Sequence, residues 1–220
     1  MEFTTLALPG WVVAAGWIVS VPSVLFALVM TPWRGLREDA AAHVWCAGAL
    51  ILTILWTVPL SLGGMPLHLL GLAAYAVLAG PAAALVGCAS ALAIALSFSG
   101  GPWQNAGIAL AVLGVGPIAA TMVAVHLTRA LLAPIPVVRA LACGWSAGAL
   151  SCAAALLARA VVLTTAPNAP WDGNELFAVI VCLGCAEATL TGTVLVVAAL
   201  IEPSALRAAT GGTRPVSRSI

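Results

Sequence analysis

An all-α bundle of membrane-spanning helices is the fold class this sequence predicts: about seven spans, N-terminus outside, C-terminus cytoplasmic. Three observations predict it. Charge is nearly absent, with 8 arginines, 7 acids and no lysine among 220 residues, 63% hydrophobic composition and a mean hydropathy of +1.14. Apolar stretches near the roughly 20 residues that cross a hydrocarbon core alternate with short breaks of Pro, Gly and the few charges. Seven of the eight arginines, finally, fall in alternate breaks, as the positive-inside rule requires of cytoplasmic loops.

The spans follow in order. The first runs from Trp11 to Met30 and the second from His43 to Leu62. The N-terminal Met1-Glu2-Phe3-Thr4-Thr5 lacks the basic region of a secretory signal, so the first span reads as a retained helix. The third and fourth are a pair, Pro66 to Ala79 and Pro81 to Phe98, parted at Gly80-Pro81, a helix-ending glycine followed by a helix-starting proline. The fifth spans Ala106 to Leu127, the sixth Val137 to Thr164, and the seventh Glu175 to Ile201. The third is short, so six spans with one long kinked helix is the competing count. Residues 1–202 then form one transmembrane, permease-like domain, and 203–220 a short polar cytoplasmic tail expected to be disordered.

With seven spans, Arg34, Arg37, Arg129, Arg139, Arg207, Arg214 and Arg218 are all cytoplasmic. The outer loops, Gly63 to Met65, Ser99 to Asn105 and Thr165 to Asn174, hold none. Trp33, Trp103 and Trp171 sit at span ends, as interfacial aromatics do. Ala140, Gly144, Gly148 and Cys152 recur every four residues in the sixth span, and Gly184, Ala188 and Gly192 in the seventh. Small residues at that spacing let helix backbones approach in lipid, though an alanine-rich chain also makes such stripes by chance.

Few residues are left to carry chemistry. Glu187 lies near the middle of the seventh span, with Gly184 one turn before it and Thr191 one turn after. A carboxyl at that depth costs on the order of 3 kcal/mol to insert, so it should face the bundle interior, protonated or paired. It is either a structural hydrogen-bonding group or part of a cation or proton route. Arg159, nearer the outer end of the sixth span, is a conceivable partner that could also snorkel to the surface.

His43 and His126 fall at cytoplasmic helix ends, where solvation and the helix dipole favour histidine. His68 differs, because it opens the third span on the outer side, three residues after Met65. Nearby outer segments offer Glu2, Gln104, Asn105, Asp172 and Glu175. Imidazole, thioether and carboxylate together suit a divalent transition metal. Cys182 and Cys185 form a CxxC on a face of the seventh helix other than that of Glu187. Within lipid, packing thiols are the expected reading rather than reactive thiolates. No Walker phosphate loop, HExxH motif, Ser/His/Asp set or paired carboxylates appears, so the chain reads as neither an enzyme nor an ATPase.

The run Gly64-Met65-Pro66-Leu67-His68-Leu69-Leu70-Gly71, followed by an alanine-rich helix and Gly80-Pro81, resembles the histidine-bearing core of the cobalt/nickel-type energy-coupling-factor permeases. The order of parts resembles a shorter branch of that family. There a Trp-Arg motif (Pro32-Trp33-Arg34) precedes a His-x-Trp (His43-Val44-Trp45), and a glutamate is followed by a glycine in the last helix (Glu187 and Gly192). The resemblance covers Trp11 to Ile201 and implies a metal-capturing membrane subunit in the bacterial plasma membrane. Energy would come from a separate transmembrane coupling subunit and ATPase subunits.

Characterised family members bind the ion with the N-terminal amine, a histidine after the initiator Met, and the histidine matching His68. This chain departs in carrying Glu2 at the second position, and Gly107-Ile108-Ala109 where the fifth helix tends to hold an asparagine. A carboxylate in place of a nitrogen ligand changes the metal preference. The expected metal residues are therefore His68, with Glu2 assisting, the cargo a divalent ion such as cobalt or nickel, and Glu187 and Thr191 intramembrane polar residues. The alternative is a non-transporting membrane assembly or accessory protein that uses its small-residue faces to hold partner helices.

Overall fold

The computed structural model describes residues 7–34, 39–57, 60–62, 65–67, 70–132, 135–165 and 173–201. Seven helices organise it: α1 Gly10–Met30, α2 Asp39–Thr57, α3 Leu72–Ala79, α4 Pro81–Ser99, α5 Trp103–Leu131, α6 Pro136–Leu163 and α7 Gly173–Ile201. Among the described residues five (α1, α4, α5, α6 and α7) are long and apolar enough to cross a membrane, and the Ala41–Thr57 part of α2 is apolar but shorter. The chain is a multi-pass helical membrane bundle. Its predicted tail, from residue 203, lies outside the described residues.

Five predicted spans match their helices to within four residues at either end. The second and third differ. Helix α2 stops at Thr57, and Leu60–Leu62 and Met65–Leu67 are two short antiparallel strands, β1 and β2, with Leu62 opposite Met65 and Leu60 opposite Leu67. The third segment is helical only from Leu72. A Gly-Gly pair in sequence between the two strands favours a hairpin, and Gly71 then takes a left-handed conformation with φ +60° before α3 begins. The break after α3 falls where expected. Gly80 holds φ +87° and ψ 153°, a region essentially restricted to glycine, and Pro81 begins α4.

Helix α5 is continuous but not regular. It begins with a 3-10 turn over Trp103–Asn105 and widens into a π turn over Ala111–Val115. Pro117 follows that turn and has no N–H for the carbonyl four residues earlier, so the ladder re-pairs with a wider turn.

Helix α3, though only eight residues long, is the hub of the bundle. It packs against α2, α4, α5, α6 and α7, and Leu72, Ala73, Tyr75, Ala76 and Val77 are buried. The phenol of Tyr75 donates to the Trp45 carbonyl (3.0 Å), and the Trp45 indole donates to the Ala83 carbonyl (2.9 Å), lacing α2, α3 and α4 together. Val77 clusters with Val125, Ala140, Cys143, Leu195 and Ala199, near the C-terminal ends of α5 and α7 and the N-terminal end of α6.

The most extensive interface joins α6 and α7, and the small-residue stripes make it. A Cβ placed on Gly144 would lie 2.6 Å from the Gly192 Cα, and one on Gly148 would lie 2.6 Å from the Glu187 carbonyl oxygen. Backbones this close gain dispersion over their whole contact length, the main source of helix association in lipid. Gly184 belongs to the same stripe, but a Cβ placed there would meet nothing within 4 Å. Cys182 and Cys185 are exposed, so this CxxC faces outward instead of packing inside the bundle.

Candidate functional site

The polar centre of the bundle is built around Glu187. Helix α7 runs from Gly173 to Ile201, which places Glu187 midway, about 21 Å from either end at 1.5 Å per residue. Its side chain is 1% exposed. The carboxyl group accepts the backbone N–H of Leu70, and that of Gly71 at 3.1 and 3.2 Å to its two oxygens. These are the backbone groups at the entry to α3. A helix begins with four N–H groups that lack intrahelical partners, and the N-cap residue Gly71 has no side chain with which to cap them. Glu187, from a different helix, accepts from the first of them, at Gly71, and from Leu70 just before it.

This contact explains the shape of the third crossing. Leu70 and Gly71 lie at the mid-height of α7, and Val77 lies beside Leu195 and Ala199, toward its C-terminal end. At about 12 Å long, α3 spans only part of the height of the bundle, on the side of Leu195 and Ala199. Gly71 also abuts α2, since a Cβ there would lie 2.9 Å from Leu55 Cδ1 and 3.7 Å from Leu52 Cδ2. Non-helical backbone is tolerated at membrane depth only where protein satisfies its polar groups, and Glu187 does so here.

The predicted residues divide between those the structure places and those it does not. Glu187 faces the interior, as expected, and its hydrogen bonds go to backbone N–H groups. Thr191 is fully buried on the same side, and its hydroxyl has no hydrogen-bond partner among the described residues. The Ser151 hydroxyl of α6 is buried in the same state. Arg159, which could have snorkelled, is instead buried, with 8% exposure. His43 and His126 are exposed at helix ends, as expected. His68, Glu2 and Asp172 lie outside the described residues, as does the side chain of Glu175. Among the described residues no group of three His, Cys, Asp or Glu is arranged to hold a metal ion.

Two features escaped the sequence reading. Asn105, placed there in an outer loop, is 1% exposed at the start of α5. Gly107, in the same helix, is packed by Trp17 of α1. A Cβ on Gly107 would lie 2.7 Å from the Trp17 ring, and Ser20 donates to the Gly107 carbonyl at 2.6 Å. The only hint in the sequence was the glycine itself, a mark of close backbone approach.

The chemistry of this centre is that of an anchor. Donors of the α3 entry point at the Glu187 oxygens, so that helix terminus is already filled by a carboxyl group of the protein and is not open to an anionic ligand. A separate cavity of about 260 Å³ lies between α1, α4 and the start of α5, lined by Trp17, Val21, Leu92, Leu96, Trp103 and Leu110 among others. Its wall carries no titratable side chain, which suits hydrocarbon and not a metal ion.

A family model described as CbiM, cobalt uptake substrate-specific transmembrane region, matches residues 5–205. No curated protein and no solved structure matches the chain.

Proposed function

The chain belongs to the CbiM family of cobalt uptake substrate-specific transmembrane regions, and from that premise we propose that it is the permease, or substrate-binding, subunit for a divalent transition-metal cation, cobalt or nickel. The match along nearly the whole chain carries this reading. In it, His68 supplies an imidazole ligand toward the outer side and Glu2 assists with a carboxylate. Glu187 and Thr191 are intramembrane polar residues rather than ligands. The seat of the segment supports the assignment, because Leu70 and Gly71, two and three residues after His68, are held inside the bundle by Glu187. Energy comes from a transmembrane coupling subunit and ATPase subunits, and the complex resides in the bacterial plasma membrane.

The test is metal-induced stabilisation of the purified protein in detergent. After chelator treatment, thermal unfolding is followed with Co, Ni, Zn and Cu, beside His68→Ala. A ligand at a hundred times its Kd stabilises by about 2.7 kcal/mol. The expected result is an upward shift for one of these metals that His68→Ala abolishes. No shift for any metal refutes metal capture and favours the accessory-protein alternative.

A further inference from the structure

We propose that the cavity between α1, α4 and the start of α5 is a binding site for one acyl chain of a membrane phospholipid, which fills the gap between α1 and α4. The site does not include Glu187 and is independent of the metal-capturing reading.

Three helix faces meet at the cavity. On α4 the lining residues are Ala89, Leu92, Ala93 and Leu96, a single face at three- and four-residue steps. On α1 the lining runs from Trp17 to Leu25, and on α5 from Trp103 to Leu110. Those stretches make a slot about 10–12 Å long, at 1.5 Å per residue, that follows the spans. An extended chain advances roughly 1.2 Å per bond, so the slot takes about eight to ten bonds of a hydrocarbon.

The gap exists because α1 is drawn to α5 rather than to α4. Gly16 sits against the Ile108 backbone, and Gly107 sits against the Trp17 ring. Across the gap α4 offers Ala89 and Ala93, whose methyl groups are too small to close it. The volume is about 260 Å³. An engineered apolar cavity of roughly 150 Å³ already takes up benzene and stays dry.

The wall presents carbon to whatever enters. The Ser20 hydroxyl donates to the Gly107 carbonyl at 2.6 Å, and the Trp17 indole donates to the Gln104 carbonyl at 2.9 Å. A water needs about two to four polar partners, and these two groups are already taken. No titratable side chain lines the slot, so a lipid would be held by its chain and not by its headgroup. Val21, Leu25 and Trp103 line the cavity and are also exposed, so it opens toward the surrounding hydrocarbon. Trp103 stands at the end of its span, where interfacial aromatics meet headgroups. Liquid hydrocarbon is packed less densely than a protein interior. A chain between two packed walls therefore gains dispersion that bulk lipid does not give it.

The experiment uses the full chain, stripped of lipid in detergent, with phosphatidylcholine and phosphatidylglycerol of equal chain length as probes. Native mass spectrometry counts the lipids bound through a titration. Ala93→Phe puts a ring into the slot. Ile94→Phe, at an exposed position outside the lining, is the control for added bulk on the same helix. The first lipid should bind the parent at least about fivefold more tightly than the second, with the two headgroups alike within about twofold. Ala93→Phe should abolish that difference, and Ile94→Phe should keep it. Photo-crosslinking with a phosphatidylcholine that carries a mid-chain diazirine then maps the site in the parent. Crosslinks should concentrate in 17–25, 89–96 and 103–110 over the exposed Val29 and Val161.

A first lipid no tighter than the second overturns the inference, as does a marked preference for one headgroup. Parent-like binding in Ala93→Phe overturns it too, and so does an equal loss in Ile94→Phe. Should Ala93→Phe fail to fold, crosslinking in the parent decides. Concentration in the lining supports the site, and even labelling of every exposed helix face refutes it.

Discussion

Gly148→Ala and Gly184→Ala are the same chemical change in two glycines that look alike in sequence, yet the structure assigns them opposite outcomes. A Cβ on Gly148 would lie 2.6 Å from the Glu187 carbonyl oxygen and 2.8 Å from the Ala188 Cα. Carbon–oxygen contacts settle near 3.3–3.6 Å, so α6 and α7 must part by roughly 0.8 Å. Both obstacles are backbone, and no side chain can swing away. Overpacking of this kind costs about 1–3 kcal/mol. A shift of that size also stretches the bonds from Gly71 to Glu187, now 3.1 and 3.2 Å, beyond useful reach. That adds about 1.5 kcal/mol, for a total loss of about 2.5–4.5 kcal/mol. A Cβ on Gly184 meets nothing within 4 Å, and alanine is the better helix former by up to about 1 kcal/mol. Unfolding in mixed micelles of rising dodecyl sulfate content, followed by circular dichroism, measures both. The expected order is Gly184→Ala at or above the parent and Gly148→Ala well below it. Parent-like unfolding of Gly148→Ala, or an equal loss in Gly184→Ala, would refute the packing described for α6 and α7.

Two further substitutions probe the same centre. Gly71→Ala forces a left-handed conformation at φ +60° on a residue with a Cβ, which costs about 1–2 kcal/mol, so its unfolding midpoint should fall; an unchanged midpoint would contradict the backbone seen at the entry to α3. Thr191→Val removes a fully buried hydroxyl without a partner among the described residues. It should therefore be neutral or stabilise by about 1 kcal/mol, and a clear loss in the same assay would mean that the hydroxyl is bonded.

The long spans were legible because their cause is local: a run of apolar residues of bilayer length, ended by proline, glycine or arginine, needs no knowledge of neighbours. The Gly80-Pro81 break was legible for the same reason, since glycine and proline fix backbone angles by themselves. The third crossing was not. The leucines on either side of His68 run on into the apolar residues of α3, and only the pairing of Leu60–Leu62 with Met65–Leu67 separates strand from helix. The site was half legible. A carboxyl group in mid-span demanded an interior position and a partner, but the partners lie 116 and 117 residues away and are backbone groups, which no side-chain motif announces. Gly148 and Gly184 were indistinguishable because a four-residue period gives the face of a helix, not the neighbour that face meets.

A buried carboxyl group and a broken helix are each unfavourable in a membrane, and in this protein each removes much of the other's cost. Glu187 in hydrocarbon without a partner would carry an insertion penalty on the order of 3 kcal/mol. The entry to α3, begun in mid-bundle, would leave N–H groups unsatisfied at about 1–3 kcal/mol each. Brought together, donors and acceptor satisfy one another, and the bundle can hold a helix that begins in its interior. The arrangement works only while α6 holds α7 at close range through Gly144 and Gly148. Packing between two ordinary spans is thereby coupled to the conformation of the one crossing that is not ordinary. A substitution at the α6–α7 seam that leaves the protein folded should therefore loosen the entry to α3, read as faster hydrogen exchange at Leu70 and Gly71, and parent-like exchange there would refute the coupling.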